Sequence, residues 1–316
     1  MSSAIYVAFD GRSQDEWYSA FRKLAPGRDL RFWPNEIGDP ADIGYACVMK
    51  APHGAFKSMP NLKAILNIGA GADYLLADPD LPDVPVARGV YDDLTMRMTE
   101  YVVLHALLFH RRLPVYLAQQ RDRLWRSYLQ PSAADVTVGV MGMGAIGTDT
   151  AEVLGRIGFQ VVGWSRGPKT VPGVEMFHGE AGLDAFLGRT EILAVLLPHT
   201  PETDGILNLG LFRKLKRDGA LGAAYLINAG RGRLHVEADV IAALDEGSLE
   251  GATLDVFPVE PLPAGSPLWA HPKVIVTPHN AGDLTPEQLI PALLEQIDRV
   301  ARGEALRNLI DRQRGY

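Results

Sequence analysis

The stretch that most narrows what this chain can fold into is VTVGVMGMGAIGTDTAEVLGRI, residues 136–157, where an apolar strand-like run breaks into Gly142-x-Gly144-x-x-Gly147 and resumes as a helical pattern. Strand, glycine turn and helix in that order are the context a dinucleotide fingerprint requires. The first glycine permits the tight turn, and the second lets backbone approach a pyrophosphate. The third lets helix and strand pack while the helix N-terminus faces negative charge. Glycine supplies 32 of 316 residues, so the three glycines alone carry little weight and their setting carries most of it. The backbone of Gly142, Met143, Gly144, Ala145, Ile146 and Gly147 is therefore expected to hold a dinucleotide.

Around this loop, strand-like and helix-like runs alternate: 136–142, 146–157, 159–165, 181–187, 191–198, 208–215, 225–230, 236–245, 251–257 and 274–279. Strict alternation indicates a parallel sheet with helices on both faces. Ahead of it, short β-rich runs at 4–9, 44–49 and 62–68 and a helical stretch at 14–24 suggest a smaller α/β unit. The apolar run 99–113 reads as a largely buried helix that stops or kinks at Pro114, and 286–307 as a closing helix. The length exceeds one usual core. Two α/β domains with parallel sheets and a cleft between them are the expectation: residues 1–98 plus 286–316 in one, residues 99–285 in the other.

Composition bounds the partners. Hydrophobic residues make up 47% and charged residues 22%, and 31 Lys and Arg against 38 Asp and Glu give a net charge of −7. That balance argues against general nucleic-acid binding. No run approaches the ~18 apolar residues of a membrane span. The start, MSSAIYVAFDGR, lacks the basic stretch and cleavage site of an export signal and reads as a first strand. The single cysteine, Cys47, lies in the apolar run YACVM and reads as a buried thiol. A cytoplasmic protein is expected. None of the eight histidines stands at metal-ligand spacing, so no metal is expected.

The strand after the glycine loop ends Trp164-Ser165-Arg166, with Lys169 three residues on. The acid that would accept from both adenine-ribose hydroxyls, favouring NAD, is missing there. A hydroxyl and two cations instead suit a 2′-phosphate, so NADP(H) is preferred and NAD(H) remains open. Arg166 and Lys169 also read as ordinary solvated loop charges.

Three further strand ends carry polar groups: NAGRG (228–232), LDVFPVEPLP (254–263) and VTPHNAG (276–282). In an open α/β sheet such ends face the ligand crevice. Reducing a keto acid requires a carboxylate clamp, a proton donor and a group that keeps the donor charged. Arg231, His279 and Glu260 match these roles. Taken singly, each is as readily a surface arginine, a solvated acid and a structural histidine. His105 and His110 fall in the apolar helix and suit packing, while His53, His178, His199, His235 and His271 read as loop residues.

NIGAGAD (67–73), GMGAIG, WSR with Lys169, LLPHTPET (196–203), NAGRG, LDVFPVEPLP, SPLW (266–269), TPHNAG and the terminal RGY together resemble the D-isomer-specific 2-hydroxyacid dehydrogenases over nearly the whole chain, most of all the group that reduces glyoxylate and hydroxypyruvate. The resemblance implies paired flavodoxin-like and Rossmann-like domains with hinges near 98–100 and 280–286, and a homodimer whose contact includes the helix near 99–113. It implies that Arg231, Glu260 and His279 are catalytic and that the amides of Ala70 and Gly71 hold the substrate carboxylate. Leu197 and Pro198 would line the cofactor, Thr203 its phosphates, Ala229 and Asp255 the nicotinamide, and Trp125 the partner subunit's site. Asn280 departs from the family pattern, which has an aliphatic residue there, and GDLTPEQ (282–288) lacks an arginine that related reductases often carry. The expected activity is NADPH-dependent reduction of small 2-keto acids such as glyoxylate and hydroxypyruvate. The alternatives are a dehydrogenase for a bulkier 2-keto acid and a non-catalytic, cofactor-sensing regulator on the same fold.

Overall fold

Period-two burial along the first strand decides how the N-terminal part is built. In β1 (Ala4–Phe9) the residues Ile5, Val7 and Phe9 enter one apolar cluster, and Ala4, Tyr6 and Ala8 enter another. A strand buried on both faces belongs inside a parallel sheet covered on each side. The computed structural model describes residues 3–9, 14–89 and 91–312; the terminal RGY motif lies outside them. Contacts divide the chain into two units, Met1–Asp93 with Leu284–Tyr316, and Leu94–Asp283.

In the first unit β1 is joined by β2 (Leu30–Phe32), β3 (Ile43–Met49), β4 (Ala64–Asn67) and β5 (Val86–Ala87), all parallel, in the order β2-β1-β3-β4-β5. This is the flavodoxin-like order. One face is covered by α1 (Gln14–Leu24), through Trp17 and Phe21, and by the C-terminal helix Pro286–Ala301, through Leu289, Leu293 and Ile297. Phe56, Met59, Leu62 and Leu75 cover the other, Leu75 from the one-turn α2 (Asp73–Leu76). Cys47 is fully buried, which pushes its thiol up to about 12.

The second unit opens with α3 (Asp92–His110) and α4 (Leu113–Arg121). The expected helix over 99–113 thus begins seven residues earlier, where Asp92 and Asp93 suit the positive end of the helix dipole. It ends before the proline: Arg112 turns left-handed with φ of 53°, and Pro114 sits in the first turn of α4, where its missing N–H costs nothing. The sheet follows as β6 (Thr137–Met141), α5 (Ala145–Ile157), β7 (Gln160–Ser165), β8 (Glu175–His178), α6 (Gly179–Leu187), β9 (Ile192–Val195), α7 (Leu209–Phe212), β10 (Tyr225–Asn228), α8 (Glu237–Glu246), β11 (Gly251–Leu254) and β12 (Val274–Val276), with α9 (Pro286–Ala301) returning to the first unit. All seven strands are parallel, in the order β12-β11-β10-β9-β6-β7-β8. Read from β8, the first six take the 3-2-1-4-5-6 order of a dinucleotide-binding sheet, whose direction reverses between β6 and β9.

The two faces of this sheet are covered separately. Val138, Val140, Ile192 and Ala194 meet Val102, Ala106, Phe109, Ala151 and Leu154 of α3 and α5. Met141, Leu193, Val195, Leu226 and Leu254 meet Phe186, Phe212 and Leu244 of α6, α7 and α8. The helix expected over 208–215 shortens to one turn, capped by Asn208, whose side-chain oxygen accepts the Leu211 N–H at 3.1 Å. Among the described residues no helix is long and apolar enough to cross a membrane.

Candidate active site

At the switch between β6 and β9 the glycine turn takes the shape its residues require. Gly142 has φ of 111°, and a Cβ there would stand 2.7 Å from the Leu196 carbonyl carbon. A Cβ on Gly147 would stand 2.0 Å from the Gly142 carbonyl oxygen, so the third glycine lets α5 start against the turn. At Gly144, by contrast, a Cβ would meet no protein atom within 4 Å, and no side chain caps α5. Open space and uncapped N–H groups at this helix N-terminus fit a pyrophosphate.

The side chains after β7 are less simply arranged. Ser165 Oγ donates to the Gly167 carbonyl at 2.8 Å. Lys169 folds back over the glycine turn, donating to the Met143 carbonyl and, at 3.2 Å, to Thr148 Oγ1. Its charge therefore stands beside the turn itself. Arg166 lies within electrostatic range of Glu202, whose carboxyl is held below its ordinary range first by the Thr200 hydroxyl and more weakly by this arginine. In the loop after β9, Thr203 Oγ1 donates to the Pro198 carbonyl at 2.9 Å and accepts the Thr200 N–H at 2.8 Å, closing the turn that follows Leu197 and Pro198. Ala229, buried after β10, donates its N–H to the Val195 carbonyl at 3.2 Å, and a Cβ on Gly230 would meet the Leu197 carbonyl oxygen at 2.8 Å. The ends of β9 and β10 are thus pressed together.

His279 and Glu260 form a pair: Nδ1 of the imidazole lies 2.8 Å from Oε2 and 3.0 Å from Oε1. Glu260 Oε1 also accepts the Phe257 N–H at 3.1 Å, which fixes the carboxylate on its own loop. The pairing uses Nδ1 and leaves Nε2 for another partner. His279 is partly exposed, as a group meeting a diffusing substrate must be.

Arg231 sits in a loop gripped from beneath. The fully buried Asn228 donates through Nδ2 to the Arg231 carbonyl at 3.2 Å and accepts the Gly230 N–H on Oδ1 at 3.1 Å. The same Nδ2 lies 3.0 Å from Nδ1 of His235. His235, expected as an ordinary loop residue, is buried at 3% exposure, and burial pushes its imidazole down to about 4. It is neutral, with Nδ1 as the acceptor. Arg231 Nη1 donates to the Gly230 carbonyl at 2.7 Å.

Asp255, 1% exposed, directs its carboxylate at the loop that carries His279. Oδ1 accepts from Thr277 Oγ1 at 2.6 Å and from the Asn280 N–H at 3.0 Å, and Oδ2 accepts from the Ala281 N–H at 3.1 Å. A carboxylate offers about four lone-pair directions, so one remains after these three donors. Asn228, His235 and Thr277 did not stand out in the sequence, because their partners are backbone atoms and buried side chains that no spacing reveals.

In the first unit, Asn67 Nδ2 holds the carbonyls of Gly69 and Gly71 at 2.7 and 2.9 Å, and Tyr74 Oη donates to Asn67 Oδ1 at 2.6 Å. Two carbonyls are drawn toward the strand end, and among the described residues the Ala70 and Gly71 amides have no acceptor. Trp125 is fully exposed in the segment after α4, with Leu124 and Leu129 also exposed. Among the described residues no group of three or more His, Cys, Asp or Glu could hold a metal.

Residues 103–281 match the family described as D-isomer specific 2-hydroxyacid dehydrogenase, NAD binding domain. The chain is 40% identical over 306 residues to glyoxylate/hydroxypyruvate reductase A of Escherichia fergusonii, an alignment covering 95% of this chain and 96% of that one. Among solved structures, it superposes with a TM-score of 0.94 and 44% identity on the NADPH-dependent glyoxylate/hydroxypyruvate reductase of Sinorhizobium meliloti in complex with NADP and sulfate, covering 99% and 100% of the two chains. A probable 2-hydroxyacid dehydrogenase of Rhizobium etli, in complex with NADP, HEPES and L(+)-tartaric acid, gives a TM-score of 0.94 at 42% identity with full coverage of both.

Proposed function

Given that the chain belongs to the D-isomer-specific 2-hydroxyacid dehydrogenases and is an NADP-dependent oxidoreductase, we propose that it reduces glyoxylate and hydroxypyruvate to the corresponding 2-hydroxy acids, with His279 as proton donor. The observation that carries this reading is the His279–Glu260 pair, Nδ1 to carboxylate at 2.8 Å, at the end of the strand series that begins with the glycine turn.

NADPH, when bound, supplies the hydride. The chain does the rest. The turn from Gly142 to Gly147, including the backbone of Met143, Ala145 and Ile146, receives the pyrophosphate at the start of α5. Ser165 and Arg166 take the 2′-phosphate, and Lys169 adds positive charge beside the turn. Leu197 and Pro198 would line the cofactor, Thr203 would lie by its phosphates, and Ala229 and Asp255 would stand near the nicotinamide. Arg231 clamps the substrate carboxylate and carbonyl with its rigid fork, joined by the Ala70 and Gly71 amides. His279, protonated, donates from Nε2 to the carbonyl oxygen as the alkoxide forms, and Glu260 favours that charged state by standing at Nδ1. In the reverse direction neutral His279 takes the hydroxyl proton.

The reading includes a homodimer in the cytoplasm. Exposed Leu104, Leu124, Trp125 and Leu129, an apolar set a monomer would rarely leave in water, support the dimer, with Trp125 assigned to the partner subunit's site; light scattering measures it. The activity is tested by the loss of NADPH absorbance with glyoxylate, hydroxypyruvate, pyruvate and phenylpyruvate, repeated with NADH. Rapid oxidation of NADPH by the two small acids supports the proposal. Preference for phenylpyruvate indicates a bulkier substrate, and no turnover by folded protein indicates a regulator.

A further inference from the structure

Three donors from the loop that holds His279 converge on one buried carboxylate. They come from Thr277, two residues before the histidine, and from Asn280 and Ala281 just after it, all onto Asp255. His279 itself has φ of 55°, a left-handed backbone that a non-glycine residue keeps only where its surroundings impose it. Within the loop, His279 N–H donates to the Thr277 carbonyl at 3.1 Å. The brace thus spans the strained residue from both sides.

The chain of bonds continues outward. Thr277 has a single hydroxyl proton and directs it to Asp255, so its oxygen accepts from Tyr101 Oη at 2.6 Å. Burial pushes the Tyr101 phenol above its ordinary range, which keeps it a donor. Its ring lies against that of His105, tilted by 43° with centroids 4.2 Å apart, and His105 Nδ1 lies 2.8 Å from the Tyr101 carbonyl. Tyr101, Thr277 and Asp255 form a line of hydrogen bonds from α3 to the catalytic loop, each polarising the next in a low-dielectric setting.

We infer that Tyr101 and Thr277 are positioning residues for His279, acting through Asp255 to hold its imidazole against Glu260. This rests on His279 being the proton donor. Loosening the brace lets the 277–281 loop relax toward ordinary backbone angles and lengthens the His279–Glu260 bond, which reduces the hold on the imidazole proton. The charged groups around His279 are Glu260 at its Nδ1, Asp283 at the end of the same loop, Asp255 beneath it and Arg97 of α3, which acts on Asp283. Tyr101 and Thr277 add no charge to this set, so their effect on titration passes through geometry.

The test is an NMR titration of the His279 imidazole, its signal identified by loss in His279→Gln, in wild type, Thr277→Val, Thr277→Ser and Tyr101→Phe. Reduction kinetics and melting temperature are measured on the same proteins. Thr277→Val is expected to titrate at lower pH than wild type and to lose roughly 10- to 100-fold in kcat with the KM for NADPH within about twofold. Thr277→Ser restores both, and Tyr101→Phe shifts both in the same direction by roughly 3- to 10-fold in kcat. Unmoved His279 titration in folded Thr277→Val and Tyr101→Phe overturns the inference. If Thr277→Val does not fold, Tyr101→Phe, which removes one oxygen at the far end of the line, decides alone. Wild-type protein that oxidises no NADPH with any 2-keto acid would overturn the proposed activity, while the titration still decides the brace.

Discussion

Gly232 lies against Phe257 so closely that a Cβ on the glycine would fall 1.9 Å from the Phe257 carbonyl carbon and 2.1 Å from its oxygen. The contact joins the loop of Arg231 to the loop of Glu260. Backbone, not a movable side chain, occupies the space, so Gly232→Ala must displace one loop or the other. The expected result is a loss of about 100-fold in kcat/KM, the cost of displacing a reacting group by about 1 Å, and of roughly 1–3 kcal/mol in stability from overpacking. Steady-state kinetics and chemical denaturation read the two effects.

Replacing Glu260 by Gln keeps an acceptor at His279 Nδ1 and removes the charge. At neutral pH, kcat is expected to drop by ~10²-fold, the lower end of what a general acid contributes. A kcat equal to that of wild type in folded Glu260→Gln would exclude the pairing as a catalytic device.

Arg166→Ala separates cofactor choice from chemistry. Loss of one charged hydrogen bond, about 1.5–3 kcal/mol, raises the KM for NADPH by roughly 10- to 100-fold and leaves NADH nearly untouched. Lys169, already bonded to the Met143 carbonyl and Thr148, is expected to affect both cofactors alike when replaced by Met, because its charge stands at the turn that both would use. Parallel titrations with NADPH and NADH distinguish the two roles.

His235 links stability to acid. Its imidazole is held down to about 4 in the folded chain against 6.5 when exposed. As pH falls from above 6.5 to 4, the unfolded chain takes up a proton that the folded chain refuses, so folding stability declines over that window by up to about 3 kcal/mol. His105 and His110 are shifted in the same direction by burial and remain in the variant. His235→Gln should therefore flatten, without abolishing, the fall in stability between pH 6.5 and 4. Urea melts across that range measure it, and equal slopes in both proteins would show that His235 is not the group responsible.

The central strands of both sheets were legible in the sequence because a parallel strand buried on both faces is written as a short continuous apolar run, as in YACVM and VTVGVM. The length of these runs and the breaks that flank them set them apart from buried helix. Of the edge strands, β2, β5 and β8 were not, since two to four residues paired on one side leave little pattern; β12, equally short, was legible because VIV stands as an apolar run directly before TPH. Pro114 was read as the point where the helix stops or kinks, and the helix does break just ahead of it; the left-handed turn at Arg112 that makes the break is not announced by composition. At the site, Arg231, Glu260 and His279 stood out because each is a polar group directly after an apolar strand. Asn228, His235, Thr277 and Tyr101 did not, as their roles depend on what burial places beside them. Lys169 was legible as a charge, but its direction, back over the glycine turn, was set by the Met143 carbonyl and Thr148.

The covering of the first sheet by α1 and α9 also bears on the order in which the chain can become ordered during synthesis. Trp17 and Phe21 share a core with Leu289 and Leu293, and Arg28 meets Asp298 at 2.6 Å across 270 residues of sequence. The second unit is made entirely of contiguous chain, Leu94–Asp283, so its contacts close while the polypeptide is still growing. The first unit must wait, its apolar face bare, until the final helix emerges. Closing so distant a contact is entropically slow, and the interval it opens is the one in which a nascent chain of this design has most need of a chaperone.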